Sequence, residues 1–195
     1  MMEKSVREFL EKVAEKTPTP GGGSVAALAG AIACSLAEMV CNLTIGKKKY
    51  AGVEEEMKEL AKKMKQRRQE FLKLVEEDAK AFDEVMKAYK EGGDEQKALK
   101  KAARVPYETA SNCLSIMDDI FAIAKDGNKN SITDAGVAGY MAHAGFNSAL
   151  LNVKINLKYI EDESFKKEME ESMKKMVKEM DEKLAKIKAV VEEYL

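Results

Sequence analysis

Tryptophan is missing from this sequence, histidine occurs once, and proline occurs only three times. Little β-branched or turn-forming material is left from which to build a sheet, so a β-rich architecture is not expected. The three cysteines, Cys34, Cys41 and Cys113, are odd in number and form no Cys-x-x-Cys pair. With one histidine beside them the usual zinc ligand sets cannot be assembled, and no metal is expected. No charge of one sign predominates, since 33 Lys and Arg stand against 34 Asp and Glu. A nucleic-acid partner is therefore not expected, and the basic residues concentrate only in the short run Lys47-Lys48-Lys49. The start, Met1-Met2-Glu3-Lys4-Ser5, has no apolar signal region, which together with the odd thiols points to the reducing cytoplasm. One apolar run, Val25 to Ile45, has the length of a membrane span, but Ser35, Glu38 and Asn42 interrupt it. It reads as a helix buried in a bundle, with no membrane partner.

Alanine, leucine, methionine, glutamate and lysine dominate what is there, and 195 residues suffice for one helical domain with a sizeable core. Six helical segments can be marked out. The first, Glu3 to Glu15, places Val6, Phe9, Leu10 and Val13 on one face and stops before Thr17-Pro18-Thr19-Pro20-Gly21-Gly22-Gly23. Ser24 is placed as N-cap of the second, Val25 to Ile45, which ends at Gly46. Along it Ala26, Gly30, Ala33, Ala37 and Cys41 recur at three- and four-residue steps, a seam that lets another helix come close. The third segment, Val53 to Lys90, carries the stripe Met57, Leu60, Met64, Phe71, Val75, Phe82, Val85 and Tyr89. After Gly92-Gly93-Asp94 comes the fourth, Glu95 to Lys125, with a kink expected at Pro106. The fifth runs from the turn at Gly127 to Ser131 as far as Tyr159. The sixth, Ser164 to Tyr194, has a regular stripe of Met169, Met173, Met176, Met180, Leu184, Ile187 and Val191. The expected fold is all-α: a single-domain bundle of about six helices over residues 1–195. Helices this long favour burial against a second subunit, so an intertwined homodimer is expected.

Four groups of residues suggest chemistry. Gly21, Gly22 and Gly23 ahead of Ser24 leave backbone N–H groups unshielded at a helix start, where a carboxylate, a phosphate or a polarised carbonyl could be held; a flexible hinge with a serine cap is the alternative. Asp78 falls inside the apolar stripe of the third segment, between Val75 and Phe82. There it is either an acid–base group, its pKa raised by burial, or half of an ion pair with Arg67, Arg104 or a lysine. Asn152 and Asn156 share one face of an otherwise apolar helix and must find partners in side chains or in a ligand. Gly145 lies on that face and is expected to clear space there. Asp134 lies eighteen residues before Asn152 on the same face, but Ser131-x-x-Asp134 also reads as a capping box. His143, nine residues from Asn152, faces the opposite side and is read as structural. Lys48 and Lys49 could hold an anionic tail, although cations also suit a helix C-terminus on electrostatic grounds alone.

Taken together these residues resemble the cyclodeaminase/cyclohydrolase family, the helical domain at the C-terminal end of formiminotransferase-cyclodeaminase that also occurs as stand-alone methenyltetrahydrofolate cyclohydrolases. The resemblance runs from Val6 to Phe165. Its anchors are Pro20-Gly21-Gly22-Gly23-Ser24-Val25-Ala26-Ala27, Met39-Val40, Thr44-Ile45-Gly46 with the run to Tyr50, Asp78-Ala79-Lys80-Ala81-Phe82, Val105-Pro106, Gly127-Asn128, Thr133-Asp134 and Asn152-Val153-Lys154-Ile155-Asn156-Leu157. Thr133 stands where the family usually has serine, and Glu38 and Cys41 replace small residues. The resemblance implies an enzyme acting on the one-carbon unit that bridges nitrogen 5 and nitrogen 10 of tetrahydrofolate. Such an enzyme hydrolyses the methenyl bridge or closes a 5-formimino group onto nitrogen 10 with loss of ammonia. A non-catalytic folate-binding or assembly protein is the remaining alternative. It implies no cofactor beyond the folate substrate. Asp78, then Asp134, are the expected acid–base groups. Asn152 and Asn156 are expected to orient the pterin or the intermediate, with Asn128 a further substrate-binding residue. Gly21 to Ser24 would hold a carbonyl or carboxylate, and Lys48 or Lys49 the glutamate tail. The second segment is roughly 30 Å long at ~1.5 Å per residue, so its glycine entrance and lysine end cannot meet within one chain. An antiparallel pairing across a twofold axis would bring one subunit's entrance to the other's lysines, placing the sites near the subunit interface.

Overall fold

The seam of small side chains decides how the bundle is built. In the computed structural model, which describes residues 5–195, the helices are α1 (Val6–Ala14), α2 (Gly22–Thr44), α3 (Glu54–Glu91), α4 (Glu95–Ser115), α5 (Met117–Asp126), α6 (Ile132–Leu157) and α7 (Glu163–Glu192). Short 3₁₀ turns, Lys48–Val53 and Lys129–Ser131, precede α3 and α6, and no strand occurs among the described residues. Ala26, Gly30, Ala33, Ala37 and Cys41 are all buried, and they let α2 lie between α3 and α6 as the central helix. A β-carbon on Gly30 would fall 2.4 Å from the Phe71 ring of α3, and one on Gly145 of α6 would fall 2.9 Å from the Ala26 carbonyl. Helix α6 runs antiparallel to α2, with Asn152 beside Gly22 at one end and Gly127 against Val40 and Thr44 at the other. Helix α4 closes over α3 and α6, and α7 packs its stripe of buried Met169, Met173, Met176 and Met180 outside α5 and α6.

Several boundaries differ from those expected. The first helix starts at Val6, capped by a reciprocal Ser5–Glu8 capping box; the expected positions Glu3 and Lys4 lie outside the described residues. The fourth segment is two helices, divided at Ile116, and Pro106 lies inside the first of them, α4. The second helix begins three residues early, at Gly22, with extended Gly21 as its N-cap, so Ser24 is not a cap but a buried first-turn residue. Gly145 clears no space beside the asparagines; its missing side chain serves the contact with α2.

Asn128 is a clamp between elements. Its side-chain N–H group donates to the Leu43 carbonyl at 2.9 Å, its backbone N–H donates to Thr44 Oγ1 at 2.8 Å, and its side-chain oxygen accepts from Asn130 N–H at 3.1 Å. The end of α2 is thereby tied to the start of α6. All three cysteines are buried and free, and burial pushes the Cys34 and Cys41 thiols up to about 12, which leaves them unreactive. Helix α2 is apolar and long enough to cross a membrane on those two measures, yet 56% of its most apolar window is buried inside the bundle. What the bundle leaves open on α2 is a stripe: Val25, Ile32, Met39 and Leu43 are exposed, with half-buried Ala29 and Leu36 between them. Val137, Tyr140, Leu151 and Ile155 of α6 are exposed as well.

The Gly30–Phe71 contact yields a test. Gly30→Ala should destabilise the fold by about 1–3 kcal/mol through overpacking, read as a lower midpoint in urea. Gly52→Ala, where a β-carbon meets nothing within 4 Å, should stay within about 0.5 kcal/mol of the parent.

Candidate active site

A helix start made of glycine leaves its amides exposed, and here they are met first by a carboxylate of the same chain. The backbone enters through Thr17-Pro18-Thr19-Pro20, and Gly21 packs so closely on Pro18 that a β-carbon would fall 2.9 Å from its carbonyl oxygen. In the first turn of α2 the amides have no acceptor within the helix. Asp78 of α3 reaches across to this turn. Its Oδ2 accepts the Ser24 hydroxyl at 2.9 Å, and the carboxylate also accepts the Ser24 backbone N–H. The same hydroxyl lies 3.2 Å from the Val75 carbonyl oxygen. Gly23 permits this approach, because a β-carbon there would fall 2.0 Å from Asp78 Oδ1.

Asp78 forms no ion pair among the described residues. Arg67 pairs with Glu70 at 2.8 Å, and Arg104 lies over the Phe165 ring, so neither partner that the sequence offered is used. Burial pushes the Asp78 pKa above its ordinary value, and the two hydrogen bonds from Ser24 pull it only part of the way back.

The carboxylate opens onto a cavity of about 620 Å³, within the range of small-molecule sites. Its floor is Gly21, Gly22, Gly23 and Asp78. Phe82, Met86 and Tyr89 of α3 form one wall, Asn152, Ile155 and Asn156 of α6 with Tyr159 the other, and Leu99 and Ala102 of α4 close the back. The asparagine amides have a fixed orientation. Asn152 Nδ2 donates to the Ser148 carbonyl at 2.9 Å, and Asn156 Nδ2 donates to the carbonyls of Ala102 and Asn152, each at 2.9 Å. Both N–H groups of Asn156 are thus spent on backbone, while Asn152 keeps one N–H, so the pair can offer a ligand two Oδ1 atoms and one N–H. The cavity thus presents a carboxylate, two amide oxygens and one amide N–H, with no lysine, arginine or histidine in its lining. A larger open groove of about 1030 Å³ lies between the end of α3 and the start of α4, and two of its lysines are engaged with carboxylates, Lys101 with Glu84 and Lys100 with Asp162. No cluster of three His, Cys, Asp or Glu residues suited to a metal occurs among the described residues.

The structure therefore brings Gly21, Gly22, Gly23, Asp78, Asn152 and Asn156 to one cavity, with Ser24 directly behind it. Asp134 is not there: it begins α6, about 27 Å along the helix from Asn152. It is also not half of a capping box, because the Ser131 hydroxyl donates to the Asn128 carbonyl and makes no cap bond. Lys48 and Lys49 are exposed in the 3₁₀ turn beyond the far end of α2, and Asn128 is spent on the clamp described above. His143 faces α7, 3.4 Å from Asp181. The aromatic wall was not singled out from sequence. Tyr89 and Phe82 read as core there, and the visible signal is that Met86, Tyr89, Ile155 and Tyr159 remain exposed large apolar side chains around one opening.

The chain as a whole is similar to known proteins. The profile of the formiminotransferase-cyclodeaminase family matches residues 5–175. The methenyltetrahydrofolate cyclohydrolase of Methylorubrum extorquens is 42% identical over 175 residues, covering 84% of each chain. The formimidoyltransferase-cyclodeaminase of Sus scrofa is 29% identical over 190 residues, and there the match spans 92% of this chain but 35% of that enzyme. The crystal structure of formiminotetrahydrofolate cyclodeaminase from Thermotoga maritima superimposes with a TM-score of 0.93 at 40% identity, covering 98% of this chain and 97% of that one.

A carboxyl whose pKa is raised by folding contributes most to stability while protonated, and loses that contribution as pH rises through its folded pKa. Asp78→Asn removes the charge and keeps the shape. It should therefore raise the melting temperature at neutral pH, with the gain shrinking towards pH 3. An equal effect at both pH values would show that the carboxyl carries no burial penalty.

Proposed function

The chain belongs to the formiminotransferase-cyclodeaminase family, and we propose that it acts as a methenyltetrahydrofolate cyclohydrolase, opening 5,10-methenyltetrahydrofolate to formyltetrahydrofolate. The observation that carries this reading is the cavity's polarity. The methenyl bridge is a cation delocalised over two nitrogens, and the site meets it with one carboxylate, two amide oxygens and no positive side chain. A carboxylate without a counter-ion is matched to such a substrate, and the aromatic wall of Phe82, Tyr89 and Tyr159 supplies flat apolar surface for a pterin.

In the proposed reaction a water adds to the methenyl carbon and Asp78 takes one of its protons, forming the C–O bond and a neutral tetrahedral adduct. One C–N bond then breaks, the protonated Asp78 returns its proton to the departing nitrogen, and the hydroxyl proton leaves to solvent as the formyl carbonyl forms. Substrate cation plus water thus give neutral formyl product plus one proton. Asn152 and Asn156 orient the substrate through their oxygens, and the Gly22 and Gly23 amides remain to hold a carbonyl or carboxylate. Formiminotetrahydrofolate cyclodeamination is a second reading, favoured by the close superposition on the Thermotoga maritima enzyme; it asks the same carboxyl to move a proton onto departing ammonia. The intact Asp78 environment weighs against a folate-binding protein without chemistry. A cytoplasmic location suits either reaction.

The exposed stripe on α2 supports a shared site. Val25, Ala29, Ile32, Leu36, Met39 and Leu43 follow four- and three-residue steps that are symmetric about position 34, so the stripe can pair with an antiparallel copy of itself. That pairing sets Val25 opposite the partner's Leu43 and brings the glycine entrance level with the partner's Lys48 and Lys49. Those lysines would hold the substrate's glutamate tail, and Asp134, at the same end of the α2–α6 pair, would approach the partner's cavity as well.

Loss of methenyltetrahydrofolate absorbance above the spontaneous rate tests the reaction, and Asp78→Asn should lower it by about 10²-fold or more. Formation of that absorbance from formiminotetrahydrofolate, with ammonia release, would instead favour the second reading. For the shared site, Gly22→Val and Lys49→Ala subunits, each impaired alone, should regain activity when mixed, since every mixed dimer then holds one intact site. Confirmed mixed dimers without recovery would place each site within one chain.

A further inference from the structure

Ser24 has the chemistry of a helix cap and ligand donor, but it is fully buried. Its hydroxyl has one hydrogen and two acceptors in reach, Asp78 Oδ2 at 2.9 Å and the Val75 carbonyl oxygen at 3.2 Å. We propose that Ser24 is the positioning residue for Asp78, a two-position hydroxyl that satisfies the carboxyl in both protonation states. This rests on the acid–base role given to Asp78 above.

With Asp78 ionised, the Ser24 hydrogen points to Oδ2, and the backbone N–H of the same residue gives the carboxylate a second donor. With Asp78 protonated, the carboxyl becomes a donor and must find an acceptor. Ser24 Oγ lies at hydrogen-bond distance once its own hydrogen has turned to Val75. Neither state leaves a buried polar hydrogen without a partner, and the exchange needs only rotation about one C–O bond. Leaving such a group unpaired costs more than the bond itself is worth, so a residue that serves both states lowers the cost of moving the proton. Alanine would fill the space but serve neither state. Ser24 Oγ is the side-chain atom in hydrogen-bond contact with the carboxyl; around it α2 presents glycine backbone, α4 presents Leu99 and Ala102, α6 presents the two asparagines, and the ionisable side chains sharing the cavity are the phenols of Tyr89 and Tyr159.

The test is the titration of Asp78 itself, read from its ¹³C-labelled carboxyl carbon in the parent, in Ser24→Ala and in Ser24→Cys, beside the pH profile of kcat/KM. A hydrogen bond to a charged acceptor outweighs one to a neutral group, so Ser24→Ala should move the Asp78 midpoint upward by about one pH unit. The acid limb of the activity profile should move with it, and Ser24→Cys, a weaker donor of similar size, should fall between. An unmoved midpoint in folded Ser24→Ala overturns the proposal, even if activity is lost, because a packing role would lower the rate without shifting a titration. The carboxyl titration needs no turnover, so failure of the parent to act on methenyltetrahydrofolate would sink the reaction assigned above and leave Ser24 to be judged separately.

Discussion

Asp78 reaches the first turn of α2 only because Gly23 offers no side chain, and the rest of the site follows from that approach. The carboxylate accepts both the hydroxyl and the backbone N–H of Ser24, so it caps a neighbouring helix much as an N-cap residue caps its own. The contact fixes how α2 meets α3. With Asn152 beside Gly22, it also fixes where α6 stands. A carboxylate held this way is stabilised enough to be tolerated in a half-buried position, yet still displaced towards protonation by burial. Those opposing effects are what a group that both takes and returns a proton requires.

Much of this was legible in the sequence, and for a physical reason. Helical periodicity and glycine–proline punctuation are local signals, so the helical segments, the small-residue seam and the in-stripe position of Asp78 could be read directly. Adjacent residues failed where tertiary contact overrode local rules. Ser24 has the chemistry of a cap, but a carboxylate fifty-four positions away claims its hydroxyl, and the helix starts earlier on glycine backbone. The fourth segment divides at Ile116, which no local signal marks. Asp134 shares helical phase with Asn152, and phase says nothing of the roughly 27 Å that separates them along the axis. Asn128 belongs to a motif of the resemblance, yet its side chain is consumed in joining two elements.

The cavity's acceptor-rich lining connects the family to a reaction. Asn156 has both N–H groups spent on carbonyls and Asn152 one, so a ligand meets a carboxylate, two amide oxygens and no positive side chain, and a cationic one-carbon bridge answers that lining better than an anion would. The residues left outside the cavity, Lys48, Lys49 and Asp134, all lie towards the far end of the α2–α6 pair, which an antiparallel dimer would carry to a second entrance. An apolar stripe symmetric about position 34 gives such a dimer a surface to form on.

The central claim is that the carboxyl of Asp78 moves the proton. Its most direct test is whether the acid limb of kcat/KM for methenyltetrahydrofolate has the same midpoint as the Asp78 carboxyl-carbon titration. Coincidence of the two, above the ordinary carboxylate range and absent in Asp78→Asn, is the predicted result. Turnover that ignores pH across the Asp78 titration, or that persists in Asp78→Asn, would contradict it.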